Sequence, residues 1–479
     1  MNWRTLPASL VLILSCKISS AAKAGPYHFS DIIPGDRAMG MGGAFGAVAD
    51  DSSAIYYNPA GLAFAISSNI SASVNALQIT RRDYQKLFNN KDSFYENSQD
   101  IVPTFTGGVL DLTKYVESLH GAFNLQSLTQ QSSNQNDFLR RPDIAIEYFH
   151  RSAKSQMSEI LFGAGLGKRF TPNLGIGFSI GGRQAVHDQQ IYQDVSQIIT
   201  PANVKLVDTV AASKSLFSTL TTNERGTAQA IAVEIGLGTI WSPWSTFSIG
   251  LSAYVDVLVK QNLDREIDSL SAFHYNDYSL PASTDFEAKE GVSAADAQRS
   301  IDVYTNKVIS RLSSNNAQRV LKTSSPPGFI SESYEPGLGR SRLRLGFASF
   351  PSSRLAFSGD VVWHRSTSEW VGSRSLMTDD VFNVHLGSEY FLSPAFFIRQ
   401  GLFTNTDARP KELSNASPER IDFYGTSLFL GTQSSDTQFS GGLIYQYGAG
   451  EALKIADQRV PKPVREDKFV LGFTATHGL

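Results

Sequence analysis

The chain has a single cysteine, Cys16, in 479 residues. One cysteine excludes an internal disulfide and any cysteine-based zinc site. Charge is scarce as well, with Lys, Arg, Asp and Glu making up 18% of the residues, against roughly 25% in an ordinary soluble domain. The 42 basic and 45 acidic residues leave a formal net charge of -3, so there is no electrostatic footprint for nucleic acid. The eight histidines are scattered, without H-E-x-x-H or paired ligand spacing. Calcium-loop spacing and G-x-S-x-G are also absent. No metal, no cofactor and no enzymatic activity are therefore expected. Beyond the N-terminus no run approaches the roughly 18 apolar residues of a membrane helix. A mean hydropathy of -0.16 argues against a multi-span helical protein. It leaves room for a membrane β-barrel, whose alternating faces average near neutral.

Glycine and aromatics are plentiful, at 38 Gly, 30 Phe and 17 Tyr. Length alone suits about three domains, but the patterning points elsewhere. Arg4 gives a basic start, Leu6 to Leu14 a short apolar core, and Ala22-Lys23-Ala24 an A-x-A cleavage site. Residues 1–24 are thus expected to be a signal peptide, with Gly25 as the mature N-terminus. A rival reading is open: Ile13-Leu14-Ser15-Cys16 resembles a lipobox, which would make Cys16 a lipidated N-terminus.

From residue 66 onward, period-two alternation dominates. In the last stretch Phe469, Leu471, Phe473, Ala475 and Leu479 share one face, against Val470, Gly472, Thr474 and Thr476. The same pattern recurs in 437–448, 354–365 and 381–391. Short turns, such as Thr171-Pro172-Asn173 and Ser393-Pro394, alternate with long polar segments near 198–223, 264–338, 366–380, 405–419 and 450–465. Outer-membrane barrels keep that parity, and soluble sandwiches have no reason to. The pattern predicts an all-β, transmembrane antiparallel β-barrel of about fourteen strands over 66–479. They lie near 66–79, 101–112, 119–131, 156–169, 173–188, 227–241, 246–260, 340–350, 354–365, 381–392, 395–404, 420–432, 437–448 and 467–479. Segment 143–150 fits either a loop hairpin or a displaced strand. Trp241 and Trp244 flank one tight turn and Trp363 sits near the opposite rim, as in two aromatic girdles. Two helices are expected in the long loops. One starts at Thr200-Pro201, and one follows the Ser293–Asp296 capping box with Ile301, Tyr304, Val308 and Leu312 as its apolar stripe.

Residues 25–65 precede the strands. Gly40, Gly42, Gly43 and Gly46 are too dense for a stable helix or strand. Asp51 can cap a short helix over 52–57, which Pro59 ends. No strand precedes the glycines and no Gly-Lys-Ser/Thr follows, so they do not form a phosphate loop.

The run Gly35-x-Arg37-Ala38-x-Gly40-Met41-Gly42-Gly43-Ala44, then Ala49-Asp50-Asp51, then Asn58-Pro59-Ala60-Gly61, resembles the N-terminal hatch of the FadL family. These are outer-membrane transporters of long-chain fatty acids and other hydrophobic compounds. The motif covers about 30 residues, and the rest of the chain is matched by architecture. The resemblance implies a hatch that plugs the lumen, with its Asn58-Pro59-Ala60-Gly61 turn near an inward kink in the third strand. That kink would open a lateral exit into the bilayer. It implies passive uptake of hydrophobic small molecules, long-chain fatty acids foremost. The implied setting is the outer membrane of a diderm bacterium, with outer-membrane lipid and the barrel-assembly machinery as partners. Backbone turns at Gly40, Gly42, Gly43, Asp50 and Asp51 would shape the hatch. Arg183, Arg344 and Arg399 fall on lumenal faces. Each is a candidate to meet a ligand carboxylate, unless a lumenal acid such as Asp360 or Glu389 neutralises it. The same motif also resembles PorV-type barrels, which serve protein secretion as binding partners. The terminal Leu479, where such barrels usually end in Phe, departs from the pattern.

Overall fold

In a computed structural model the chain forms one closed antiparallel barrel. The structure describes residues 27–85, 94–141, 146–198, 204–206, 216–275, 286–314, 320–334, 337–371, 374–413, 419–453 and 461–479. The proposed signal peptide, Cys16 and Thr200-Pro201 lie outside them.

The wall strands are β1 (Asn69–Tyr84), β2 (Phe94–Asp111), β3 (Leu119–Arg141), β4 (Ile146–Thr171), β5 (Leu174–Ile198), β6 (Leu216–Trp244) and β7 (Phe247–Tyr275). They continue as β8 (Gly337–Ser352), β9 (Leu355–His364), β10 (Val381–Ser393), β11 (Phe396–Asn405), β12 (Glu419–Gln433), β13 (Thr437–Ala452) and β14 (Lys462–Gly478). Each pairs with its neighbour, and β14 closes on β1 from Asn69↔Gly478 to Tyr84↔Val464. The segment Val320–Tyr334 continues the line of β8, pairing with the far half of β7.

The alternation has its expected physical meaning. Leu443 is 63% exposed and its neighbour Ile444 5%, so the apolar face looks outward and the small or polar face inward. An apolar belt of Phe162, Leu237, Leu402 and Phe469 surrounds the wall, as lipid contact requires. Trp241 and Trp244 stand exposed at the β6–β7 turn.

The fourteen strands fall where alternation places them, but several run longer. β6 and β7 have 29 residues each, against 10 in β9 and in β11. A tilted strand needs only about 9–11 to cross a bilayer. On β4, β6 and β7 the outward apolar residues end at Ile160, Ile231 and Val259, and beyond them Lys154, Arg225 and Glu266 point outward. The sheet thus stands well clear of the belt on that side. Much of 198–223 and 264–338 is therefore strand rather than loop, and 146–150 opens β4 rather than forming a hairpin. Residues wet on both faces keep the ladder but lose the apolar alternation, so the sequence hides them. The 366–380 segment holds a small hairpin, Ser368–Val371 with Arg374–Met377.

The 293–296 capping box is formed: the Asp296 N–H donates to Ser293 Oγ at 3.2 Å, opening the helix Ala294–Ser314. Ala297 and Ile301 are buried on it. The side chains of Tyr304, Val308 and Leu312 lie outside the described ones.

Residues 27–65 pack against inward-facing residues of the wall. They contain helix α1 (Asp36–Gly40), helix α2 (Ala54–Tyr57) and a 3-10 helix, Pro59–Phe64. Asp51 does not cap at the helix edge. Its Oδ1 accepts from the Ser53 N–H at 2.8 Å, one step upstream of a helix shorter than expected. The hydrophobic core is the seam between this segment and the wall: Met39, Met41, Phe45, Ile55 and Tyr57 pack on inward residues such as Leu161, Phe403 and Phe429.

Candidate functional site

Main chain lies against main chain along this seam. Gly42 (φ 62°) and Gly43 (φ 81°) adopt the left-handed conformation that side chains disfavour. Gly42 presses on Gly401 of β11, where an added Cβ would stand 2.3 Å from the Gly42 nitrogen. Gly40 packs on Arg399. Gly61 carries no side chain because a Cβ there would meet the Ala49 carbonyl at 1.6 Å.

The Asn58-Pro59-Ala60-Gly61 turn is fixed by Asn58. Its Oδ1 accepts from the Ala60 N–H at 3.1 Å, and its Nδ2 donates to the carbonyls of Gly46 at 2.8 Å and Thr239 at 3.1 Å. Thr239 is on β6. The Pro59 carbonyl faces Gly177 of β5, and Asn58 faces Gly238 of β6. The turn therefore sits chiefly against β4, β5 and β6, with the third strand, near which the resemblance places it, on its flank. Only glycine rows there admit a backbone so close. β3 is also approached by Ser52, whose carbonyl accepts from Asn124 Nδ2 at 3.4 Å.

Buried ion pairs tie the same segment to the wall. Arg37 donates to both Asp50 oxygens at 2.8 Å and to Glu389 at 2.7 Å. Glu389 also accepts from Arg399 Nε at 2.7 Å, and Arg399 Nη1 donates to Asp36 at 3.1 Å. Asp36 accepts in addition from Thr474 and Thr476 of β14. Asp360 Oδ2 accepts from Arg344 at 2.6 Å and from the N–H groups of Phe45 and Gly46 at 2.9 and 2.8 Å. Arg183 meets Glu159 at 3.1 Å and Asp256 at 2.7 Å. All three candidate arginines thus face inward, and each is already held by carboxylates.

Asp51 gives this region a pH dependence. Burial first, then the neighbouring Asp50 charge, push its carboxyl up to about 6. A raised acid pKa means the folded state favours the protonated form. Its contribution is full below the unfolded value near 4 and is lost as pH rises through 6. Protection of residues 50–57 from hydrogen exchange should therefore fall between pH 4 and 6.5, and Asp51→Asn should flatten that profile.

Two arginines missed by the sequence reading complete the picture. Arg340-Ser341-Arg342-Leu343-Arg344 puts three guanidinium groups on one face of β8, an alternation that was visible in the sequence. Arg340 donates to Glu159 at 3.1 Å. Arg342 donates to Glu234 at 2.5 and 2.9 Å and lies between the rings of Tyr56 and Tyr254, at 4.4 and 3.9 Å. Arg340 and Arg342, with Glu159, Glu234 and Tyr56, line a small lumenal pocket together with His28 and Phe29, and it reaches Leu128 and Thr129 on β3.

At that point the wall is broken. β2 and β3 pair at Asn97↔Asn134 and again from Phe105↔Gln126 to Asp111↔His120, with no ladder between. Irregularities cluster at this height: Ser73/Val74 and Asn75/Gln78 in the β1–β2 register, Ser127/Thr129 in β3. Pro103 pairs with Val74 on the β1 side of β2, lies in the stretch without a ladder to β3, and has no N–H to give one. Its carbonyl accepts instead from the Ser127 hydroxyl at 2.7 Å.

No family model and no curated protein matches the chain by sequence. The fold is shared with solved structures. A Pseudomonas aeruginosa FadL homologue superposes with a TM-score of 0.52 at 12% identity, over 94% of this chain and 99% of that one. The P. putida toluene transporter TodX gives 0.52 at 11% identity, and the CymD monoaromatic hydrocarbon channel 0.50 at 11%, each over 94% of this chain and 99% of the other. The chain thus has the FadL-type barrel fold along nearly its whole length.

Proposed function

We propose that the chain is an outer-membrane channel for passive uptake of hydrophobic small molecules, with residues 25–65 as a hatch and the β2–β3 break as a lateral exit. The observation that carries the reading is the continuity between the lumenal pocket and that break: Leu128 and Thr129 belong to both. Ligand enters from the long-loop end, rests above the hatch beside Phe29 and Tyr56, and leaves sideways between β2 and β3. In this reading the hatch closes the straight path, and the exit lies level with the outward apolar belt. No step needs a cofactor or a reaction. The proteins sharing the fold include a toluene transporter and a hydrocarbon channel, which supports hydrophobic cargo. A long-chain fatty acid is the ligand the motif suggests, and its carboxylate would have to compete for Arg183, Arg344 or Arg399.

The test is Pro103→Val, which restores a donor in the broken ladder. Uptake of a labelled hydrophobic compound by cells should drop several-fold while barrel assembly stays intact. Unchanged uptake would remove the lateral exit from the proposal.

One observation favours a second reading, a PorV-like partner in protein secretion. The β3–β7 sheet stands far beyond the apolar belt, and tall wet sheets present surface to other proteins. A secretion protein that co-purifies in fixed ratio, with no uptake defect on deletion, would favour it.

A further inference from the structure

We infer that a groove on the outer wall, above the apolar belt on β2–β6, binds the phosphorylated saccharide head of a glycolipid in the leaflet at the long-loop end. The inference goes beyond the uptake reading and uses no lumenal residue. It keeps only that reading's membrane setting.

The groove holds about 720 Å³ and runs from Gln99 on β2 to Arg225 and Thr227 on β6. Ligand clefts span about 300–1,000 Å³, so its size is that of a binding site. Short residues such as Ser132 and Gly226 keep it hollow. Two rows of outward side chains cross it, set by the ladder register. The row nearer the belt is Gln156, Asp188 and Thr227, and the outer row is Lys154, Gln190 and Arg225. The lining is amide, hydroxyl and charged, with no apolar side chain among the described residues. Amides both donate and accept, which suits sugar hydroxyls.

The outer row sets Lys154 and Arg225 on either side of Gln190, two strand spacings or about 10 Å apart. Glu266 stands opposite Arg225 in register, yet among the described residues no ion pair holds either cation. Asp188, the acid of the inner row, already accepts from Thr227 Oγ1 at 2.8 Å. Phosphates on a saccharide thus meet two unclaimed cations with a ring's width between them.

Height selects the occupant. On β2 the last outward apolar residue is Ile101, 70% exposed, and Gln99 follows it on that face. On β4 and β6 the last are Ile160 and Ile231, and Gln156 and Thr227 come four residues on. Strands rise about 3.3 Å per residue and lean roughly 45°, which puts the near edge of the groove about 5–9 Å above the belt. A phospholipid head layer is about 5–8 Å deep on each side. By the same arithmetic Lys154 and Arg225 stand about 14 Å up. That is beyond a phospholipid head and within the layer of a saccharide-bearing one. At that height a polar wall faces lipid heads, and a soluble protein reaches it only by displacing them.

The experiment incubates the purified full barrel in detergent with rough-type lipopolysaccharide, phosphatidylglycerol or phosphatidylethanolamine, and native mass spectrometry reads the lipid retained. Lipopolysaccharide should be retained at about tenfold lower concentration than phosphatidylglycerol, because only its head spans both rows. The double variant Lys154→Ala, Arg225→Ala should weaken retention about tenfold or more, as the loss of two charge-assisted contacts requires. Both side chains are exposed, so the barrel should still assemble. Gln190→Leu keeps the charges and should weaken retention severalfold, which decides the matter if the double variant does not assemble. Lys114→Ala, Arg169→Ala removes the same charge at the short-turn end and should leave retention unchanged. Native-like retention by the Lys154/Arg225 or the Gln190 variant overturns the inference, as does phosphatidylglycerol bound as tightly as lipopolysaccharide. A protein partner bound across Lys154, on a barrel that retains no lipopolysaccharide, also overturns it and favours the secretion reading. Failure on the lipid arms leaves the uptake reading standing, since no lumenal residue is involved.

Discussion

Gly177→Leu should unseat the Asn58–Ala60 turn and leave the barrel leaky to ions. A Cβ at Gly177 would stand 2.1 Å from the Pro59 carbonyl carbon and 2.2 Å from its oxygen. Both are backbone atoms, so no rotamer change relieves the clash. Overpacking a fitted core costs about 1–3 kcal/mol, and a branched side chain against main chain belongs at or above the top of that range. β5 is locked into ladders with β4 and β6 on both sides, whereas the turn is held chiefly by the three hydrogen bonds of Asn58. The turn should therefore move and the wall stay. Planar-bilayer conductance should rise from near-closed to porin-like, and protease added from the turn side should cut within residues 50–65. Gly478→Ala, where an added Cβ meets nothing closer than 3.5 Å, is the control and should behave as the native protein. A tight, protease-resistant Gly177→Leu barrel would show that the turn is not seated as described.

Asp360→Ala should release the neighbouring stretch of the same segment, by a different cause. One carboxylate oxygen of Asp360 receives Arg344 and two backbone N–H groups, those of Phe45 and Gly46. Arg344 is 4% exposed and Asp360 1%. Removing the acid leaves a buried guanidinium and two buried donors without their acceptor. Loss of one partner of a buried pair costs roughly 3–5 kcal/mol, and the orphaned N–H groups add to it. Thermal unfolding followed by heat-modified gel migration should shift down by several degrees, with raised conductance at room temperature. The double variant Arg344→Met, Asp360→Leu removes both charges and should recover part of that loss. Failure of the single variant to differ from native would mean that the wall does not hold the segment through this acid.

Legibility followed the range of the interactions. Period-two alternation is a local property, so Phe469, Leu471 and Phe473 could be assigned to the outer face from the sequence alone. Gly42 and Gly43 were legible because a dense glycine run has few conformational uses. Arg183, Arg344 and Arg399 could be placed on lumenal faces by counting along their strands. Their partners could not. Arg399 faces Glu389 because the β10–β11 register aligns those two residues, whereas Arg37 reaches Glu389 from 352 positions away. The seat of the Asn58–Gly61 turn depended on which strands had room for main chain, and Gly177 and Gly238 lie on β5 and β6.

The sequence by itself determined alternating strands, an outward apolar face and a glycine-rich segment ahead of the barrel. Those features are written in neighbouring residues. Closure, the ion pairs that lock that segment to the wall, the height of the sheet on the β3–β7 side and the break at Pro103 were decided by tertiary structure. Each depends on which strand lies beside which and in what register. A ladder is a relation between two strands, and an inward arginine acquires its role only when the wall curves round to bring an acid to meet it.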